Sequence, residues 1–212
     1  MIKTGKEHLS QLRDGRVVYI GDEKIDDVTT HPAFEKAAQK VAELYDIKHQ
    51  EIYKDVLSYE ENGELCSTWF LQAKNKSDLR KRSKAHKVIA DQTSGMMGRS
   101  MDHVASFVTG MSTNPDIFDS GKYKFKENLL NYYKYMKKND VFASYAVVPP
   151  QAARNPEFYQ KQNLPIPTLS VVEENKKGVI ISGMKMLATS AVFANEIWIG
   201  NLVPLAPDQI KQ

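Results

Sequence analysis

Cysteine is nearly absent: Cys66 is the only one in the chain. A lone thiol excludes a disulfide within the chain. With only five scattered histidines it also excludes a zinc ribbon or a four-cysteine cluster, so no metal site is expected. Long apolar runs are missing too. No stretch approaches the roughly 20 residues needed to span a bilayer, and the opening MIKTGKEHLSQLRDG is charged and amphipathic, without the apolar centre of a signal peptide. Neither sign of charge dominates. A net charge of +3 is too small to imply a nucleic-acid partner by itself. There are no internal repeats or low-complexity tracts. What is left is ordinary globular composition, 42% hydrophobic and 26% charged, in 212 residues. That length suits one or two domains with a real core. The expectation is a soluble, cytoplasmic protein with no membrane and no nucleic-acid partner.

The segment Asn139–Arg154, NDVFASYAVVPPQAAR, divides the chain. Before it the pattern is mostly helical and after it mostly extended, so the fold class is α+β. The division predicts a mainly helical domain over residues 1–138 and a β domain over residues 139–212. Thr4 and Glu7 have the spacing of a capping box, which predicts a short helix through Leu9 and Leu12 that ends at Gly15. Val17–Ile20 and Lys24-Ile25 flank a glycine turn and read as a hairpin. Phe34, Ala37, Ala38, Val41 and Leu44 fall at helical spacing over residues 33–44. Val56–Tyr59 and Leu65–Phe70 flank Asn62-Gly63 as a second hairpin or loop. Ser77-Asp78 is the expected cap of a long helix to about Thr93. The basic run inside it, Leu79–Lys87, reads as a solvated helix face rather than a phosphate patch, because no aromatics interleave to stack on bases. Gly110–Gly121 is turn-rich, and Phe125–Met136 is a further helix. Tyr123, Tyr132, Tyr133 and Tyr135 are expected to serve packing and surface.

Beyond that, Val141–Val148 reads as a buried strand stopped by Pro149-Pro150. Gln151 and Arg154 follow just past its end, where loops present binding groups. Residues 155–167 read as loop. Leu169–Val172 and Gly178–Met186 read as strands about the turn Glu173–Lys177. Ile197-Trp198-Ile199 precedes a proline-containing tail from Pro204. The other chemical stretch is Gly95–His103, GMMGRSMDH. Arg99 supplies a fixed cation, and His103 follows four residues on. If a helix begins here the two share a face, an arrangement suited to an anionic or phenolic ligand. The plainer alternative pairs Arg99 with Asp102 and leaves His103 on a helix surface.

GRSMDH resembles the G-R-[ST]-P-D-Y stretch of the two-component flavin-dependent phenol hydroxylases, the 4-hydroxyphenylacetate 3-monooxygenase family. The opening TGKEHLSQLRDGRVVYIGDEKIDDVTTHPAF resembles that family's N-terminal signature. Asn139–Arg154 is similar to its N-D…T-H-A…P-Q…R strand and loop, and Ile181–Thr189 to its G-A-K…A-T flavin segment. Four motifs in order cover nearly the whole chain. The resemblance implies an acyl-CoA dehydrogenase-like fold whose β domain is a sheet or barrel. It also implies ortho-hydroxylation of a phenol with O2 and FAD, bound as FADH2 and supplied by a separate flavin reductase, in a homo-oligomer at full length. Position by position it implies catalytic roles for Arg99, His103 and Tyr145. Substrate contacts fall to Arg99, Ser100, Met101, Asp102, His103 and Tyr145. Flavin contacts fall to Tyr145, Ala146, Val147, Gln151, Ala152, Ala153, Arg154 and Thr189. The dehydratase branch of the same fold, which uses an iron–sulfur cluster, is disfavoured by the lone cysteine.

Two departures stand out. The family's tyrosine after the aspartate is His103 here, and the histidine of its strand is Tyr145. The exchange predicts that one imidazole and one phenol still bind the substrate hydroxyl, with His103 the better proton acceptor near neutral pH. It also leaves room for a phenol other than 4-hydroxyphenylacetate, such as a nitro- or chlorophenol. The second departure is length. The resemblance implies a C-terminal helical domain beyond Gly200 that 212 residues cannot hold. The expectation is a fragment, a split-gene subunit or a truncated product, with a non-catalytic flavin-binding or assembly subunit as the rival function.

Overall fold

The structure is a computed structural model that describes residues 2–119, 124–164, 166–176 and 178–200. Tyr123, Gly121, Pro165, Lys177 and the tail from Pro204 lie outside the described residues. The fold is α+β. The chain divides into two compact units, Met1–Ser144 with Ser190–Glu196, and Tyr145–Thr189 with Ile197–Gln212.

The first unit is mainly helical. Helix α1, Gly5–Gln11, starts at the capping box read in the sequence. Thr4 Oγ1 accepts from the Glu7 N–H at 3.2 Å, and the Glu7 carboxylate accepts from the Thr4 N–H at 2.7 Å. It lies against α2, Glu35–Asp46, so closely that a Cβ on Gly5 would stand 2.5 Å from the Ala42 carbonyl oxygen. Helix α2 buries Ala38, Val41 and Leu44 of the expected stripe together with Ala42 and Tyr45, while Ala37 is exposed. It starts two residues later than expected because the Phe34 N–H turns back to the His31 carbonyl at 2.9 Å. The hairpin forms as β1, Val18–Ile20, and β2, Glu23–Ile25. Val56 and Leu57, read as strand, instead end helix α3, Glu51–Leu57. Leu57 is fully buried there, and that packing overrides the extended preference of Val56. Strands β3, Ser58–Glu61, and β4, Glu64–Ser67, then pair about Asn62-Gly63.

Helix α4, Lys76–Gln92, is capped by Asn75 rather than Ser77-Asp78. The Asn75 Oδ1 accepts from the N–H groups of Ser77 and Asp78 at 2.8 and 3.0 Å. Within the basic run, Arg82 turns inward and donates to the carbonyls of Trp69 and Leu71 at 3.1 and 2.6 Å. Helix α5, Met101–Ser112, continues through Gly110, where turns were expected, because Val108, Thr109 and Ser112 are all buried on its inner face. Helix α6, Lys126–Asn139, ends at Asp140, which takes the left-handed conformation with φ +48°. The buried Asp140 carboxylate accepts from the Lys48 ammonium, from the Ser67 hydroxyl at 2.7 Å and from the Lys3 N–H at 3.0 Å. Lys48 lies 4.1 Å from the Tyr45 ring centroid and 4.9 Å from that of Trp69. Burial alone would push the Asp140 carboxyl up; the Lys48 charge and the three hydrogen bonds outweigh it and hold the group below the usual carboxylate range.

Strand β5, Ala143–Ala146, carries the chain from the first unit into the second and pairs with β8, Glu196–Ile199. Asn195 N–H donates to Phe142 O at 2.8 Å and Gly200 N–H to Ala146 O at 3.1 Å, so the pairing advances along both strands in one direction. Parallel strands need a long crossover, and the second unit's described elements lie within it. Strand β5 is shorter than the expected Val141–Val148, and Val148 makes an isolated bridge to Met186. Part of the expected loop is helix α7, Pro156–Lys161, started by the Asn155 side chain and by proline at its first position. Strands β6, Ser170–Asn175, and β7, Gly178–Ser182, form an antiparallel ribbon. Glu173–Asn175 join the ladder, so the turn is tighter than expected, and β7 stops four residues early. Among the described residues the strands make four two-stranded ribbons, not the larger sheet or barrel expected. The side chains of β7 are all exposed, and no further layer among the described residues covers them.

Candidate active site

In the first unit, α4 and α5 enclose a cleft of about 380 Å³. Helix α4 contributes His86, Ile89 and Ala90, and α5 contributes His103, Ser106 and Phe107. Both sets fall at i, i+3, i+4, so each occupies one helix face. Met97, Gly98, Ser100 and Asp102 complete the lining. The walls are therefore largely apolar, with a few convergent polar groups, which is the composition of a small-molecule site.

Asp102 organises the polar groups. Its Oδ2 accepts from His86 Nδ1 at 2.5 Å and its Oδ1 accepts from the Ser100 hydroxyl at 2.6 Å. Ser100 is the N-cap residue of α5, yet its hydroxyl is directed to this carboxylate rather than to a backbone N–H. Burial pushes the Asp102 carboxyl up, but the His86 and Ser100 hydrogen bonds together leave it below its ordinary range, and it is a carboxylate at neutral pH. His103 stands edge-on to Phe107 with ring centroids 4.7 Å apart. Burial lowers its pKa, the Asp102 charge opposes this, and the charges of Arg99 and His86 add to the lowering. His103 is thus kept neutral and able to donate or accept one hydrogen bond. The Ser106 hydroxyl oxygen is shielded from solvent and has no hydrogen-bond partner among the described residues.

A shared face for Arg99 and His103 required the helix to begin before Arg99; it begins after it, and Arg99 is exposed and precedes the Ser100 cap, outside α5. It does not pair with Asp102, whose partners are His86 and Ser100. Its charge nevertheless reaches His103. Met101, a candidate substrate contact, is fully buried in the core and does not line the cleft. His86, Ser106 and Phe107 were missed. His86 hid inside a run of lysines and arginines, and only its spacing to Ile89 and Ala90 marks it as inward-facing.

In the second unit the candidates Tyr145, Ala146 and Val147 lie at and just beyond the end of β5. Ala146 and Val147 are buried, and Tyr145 is half-buried. A Cβ on Gly200 would stand 2.7 Å from the Tyr145 hydroxyl, so the bare backbone packs directly on that ring. Lys185 donates to the Val147 and Gly200 carbonyls at 3.1 and 3.0 Å, tying the Ile181–Thr189 segment to the same strand end. Gln151–Arg154 forms a short 3-10 helix with Gln151, Ala152 and Arg154 exposed and Ala153 half-buried. Thr189 is exposed. The Val148–Met186 bridge joins these segments, and Met184 and Leu187 nearby are 52% and 74% exposed.

Residues 4–211 match the family model described as 4-hydroxyphenylacetate 3-hydroxylase N terminal. The chain belongs to this family. Among members of the 4-hydroxyphenylacetate 3-hydroxylase family, it is 37% identical over 203 residues to the 4-hydroxyphenylacetate 3-monooxygenase oxygenase component of Thermus thermophilus, covering 94% of this chain and 40% of the relative. It is 35% identical to the 2,4,6-trichlorophenol monooxygenase of Cupriavidus pinatubonensis, covering 94% of this chain and 40% of that one. To the 4-nitrophenol 2-monooxygenase oxygenase component of a Rhodococcus species it is also 35% identical, covering 93% and 37% respectively. A crystal structure of the 4-hydroxyphenylacetate 3-monooxygenase oxygenase component complexed with FAD superposes with a TM-score of 0.85 at 35% identity, over 98% of this chain and 43% of that one. An archaeal 4-hydroxybutyryl-CoA dehydratase from N. maritimus shares the fold at a TM-score of 0.78 and 20% identity, over 97% of this chain and 41% of that one. The chain thus spans about two fifths of the length of the family members it matches.

Proposed function

We propose that this chain supplies the N-terminal part of the oxygenase component of a reduced-flavin-dependent monooxygenase that ortho-hydroxylates a phenol. The observation that carries this reading is the α4–α5 cleft, an apolar-walled space ending in His103 and the Ser100–Asp102–His86 array, built on the motif that marks the family. Its size suits one substituted benzene ring, with His103 as the hydrogen-bonding partner of the substrate hydroxyl. The Arg99 cation lies close enough to bias His103, and it equally favours a bound phenolate. In the second unit Tyr145, Ala146, Val147, Gln151, Ala152, Ala153, Arg154 and Thr189 hold FAD, delivered reduced by a separate reductase. Bound reduced FAD supplies the activation of O2. The protein's part is to orient the ring, hold the phenolic proton and exclude water.

The substrate names of the relatives, 4-hydroxyphenylacetate, 2,4,6-trichlorophenol and 4-nitrophenol, define the panel to test. With reduced FAD and O2 supplied, and the chain joined to the C-terminal part its relatives carry, we expect a hydroxylated product from at least one of the three. Single replacement of His103 or Tyr145 is expected to depress hydroxylation far more than flavin affinity. Normal hydroxylation by both variants contradicts their assignment. The chain's share of its relatives' length also supports a second reading, a non-catalytic flavin-binding or assembly subunit. Tight binding of reduced FAD with peroxide as the sole product selects it.

A further inference from the structure

The family motif accounts for Arg99, Asp102 and His103, but His86 comes from a different helix and no motif includes it. Its geometry is that of an oriented proton acceptor. The Asp102 carboxylate can only accept, so the 2.5 Å contact puts a proton on Nδ1, and in the neutral imidazole the lone pair is then on Nε2. Asp102 is itself fixed by Ser100 at 2.6 Å, which gives the imidazole a rigid support. The His86 side chain is 40% exposed while Asp102 is 13% exposed, so the ring stands between a sheltered carboxylate and an accessible space. That space is the same cleft that His103 lines. A carboxylate behind an imidazole both sets the tautomer and stabilises the imidazolium that forms on protonation. The charged or titratable groups coupled to the His86–Asp102 pair are His103, which also feels Arg99, and Arg82, which feels the Asp102 charge.

We propose that His86, backed by Asp102 and Ser100, is the group that removes the proton from the phenolic substrate, and that His103 holds the resulting oxygen by a hydrogen bond. This rests on the phenol-hydroxylase reading above. The O–H bond of the phenol breaks as a bond forms between that hydrogen and His86 Nε2. The electron pair stays on the phenolate oxygen and enriches the ortho carbon. The imidazolium keeps its Nδ1–H bond to Asp102, and no oxidant or reductant takes part. His86 is thereby a catalytic residue, while Asp102 and Ser100 are positioning residues.

The test needs neither flavin nor turnover. 4-Nitrophenol changes its visible absorbance on ionisation, so a titration reports both how tightly it binds and in which protonation state. At a pH where the free probe is mostly neutral, the wild-type chain is expected to bind it with at least about a tenfold preference for the phenolate, the effect of one nearby opposite charge. His86→Gln should lose most of that preference, keeping only the share that Arg99 supplies, and still bind the neutral phenol. Asp102→Asn should reduce it, whereas His103→Gln should weaken binding in both states and keep the preference. A phenolate preference undiminished in His86→Gln, or its absence in the wild-type complex, overturns this assignment and leaves the phenol site standing. Failure of the wild-type chain to bind the probe at all overturns the phenol reading of the cleft and this assignment together.

Discussion

Replacing Asp140 with Asn is the sharpest probe of the fold's interior. Asn keeps the shape of the side chain and tolerates the left-handed backbone at φ +48°, so the change removes little besides charge. Asp140 is 1% exposed and Lys48 is fully buried, so water cannot compensate. The variant leaves the Lys48 ammonium with neutral acceptors, the amide oxygen and the Ser67 hydroxyl at 3.2 Å, and without its countercharge. Breaking a buried pair by removing one partner costs about 3–5 kcal/mol. With a urea dependence of about 3 kcal/mol per molar, the midpoint should fall by about 1–1.7 M. Trp69, 1% exposed and beside Lys48, gives the fluorescence signal. The double variant Lys48→Met with Asp140→Asn should recover part of the loss, because no buried charge is then left unpaired. A midpoint shift below about 0.3 M for Asp140→Asn, or a double variant worse than the two singles combined, refutes the reasoning.

Other expectations follow from equally local features. His8 is fully buried, and burial, reinforced by the Lys3 charge, draws its pKa down to about 3. The unfolded chain therefore binds a proton that the folded one refuses, and stability should fall as pH drops from about 6.5 toward 3, by up to about 1.4 kcal/mol per unit. Denaturation at several pH values should show a flatter profile for His8→Gln. Gly5→Ala drives a methyl to 2.5 Å from the Ala42 carbonyl oxygen and should cost about 1–3 kcal/mol in thermal or urea melts, since backbone must move to relieve it. Arg82→Met removes charge-assisted bonds to two carbonyls and should cost about 1.5–3 kcal/mol, while Lys84→Met on the exposed face should stay within about 0.5 kcal/mol. Equal effects for the two contradict the reading of that helix as one anchored arginine on a solvated face.

Local signals were legible where one short stretch decides the structure. The Thr4–Glu7 box and the Gly21 and Asn62-Gly63 turns form as their spacing dictates, and Ala38, Val41 and Leu44 of the α2 stripe face the core. Elements were misjudged where tertiary packing or a neighbouring side chain decides. Val56 and Leu57 became helical because Leu57 finds a buried place, and Asn75 took the cap from Ser77 through its side-chain oxygen. The candidate site was half legible. The motif located α5 and His103, but Arg99 fell outside the helix and Met101 went to the core. His86 and its bond to Asp102 join residues 16 apart in sequence, and nothing in a linear pattern announces such a pair. The same holds for Lys48 and Asp140, 92 residues apart, which make a neutralised core out of two charges.

The phenol site in the α4–α5 cleft is the central claim, and crystals of the chain soaked with 4-nitrophenol address it most directly. The account expects the ring between Met97 and Phe107, with its hydroxyl oxygen in hydrogen-bond reach of His103 and His86. A ring bound elsewhere, with the cleft left empty at saturating probe, would contradict it.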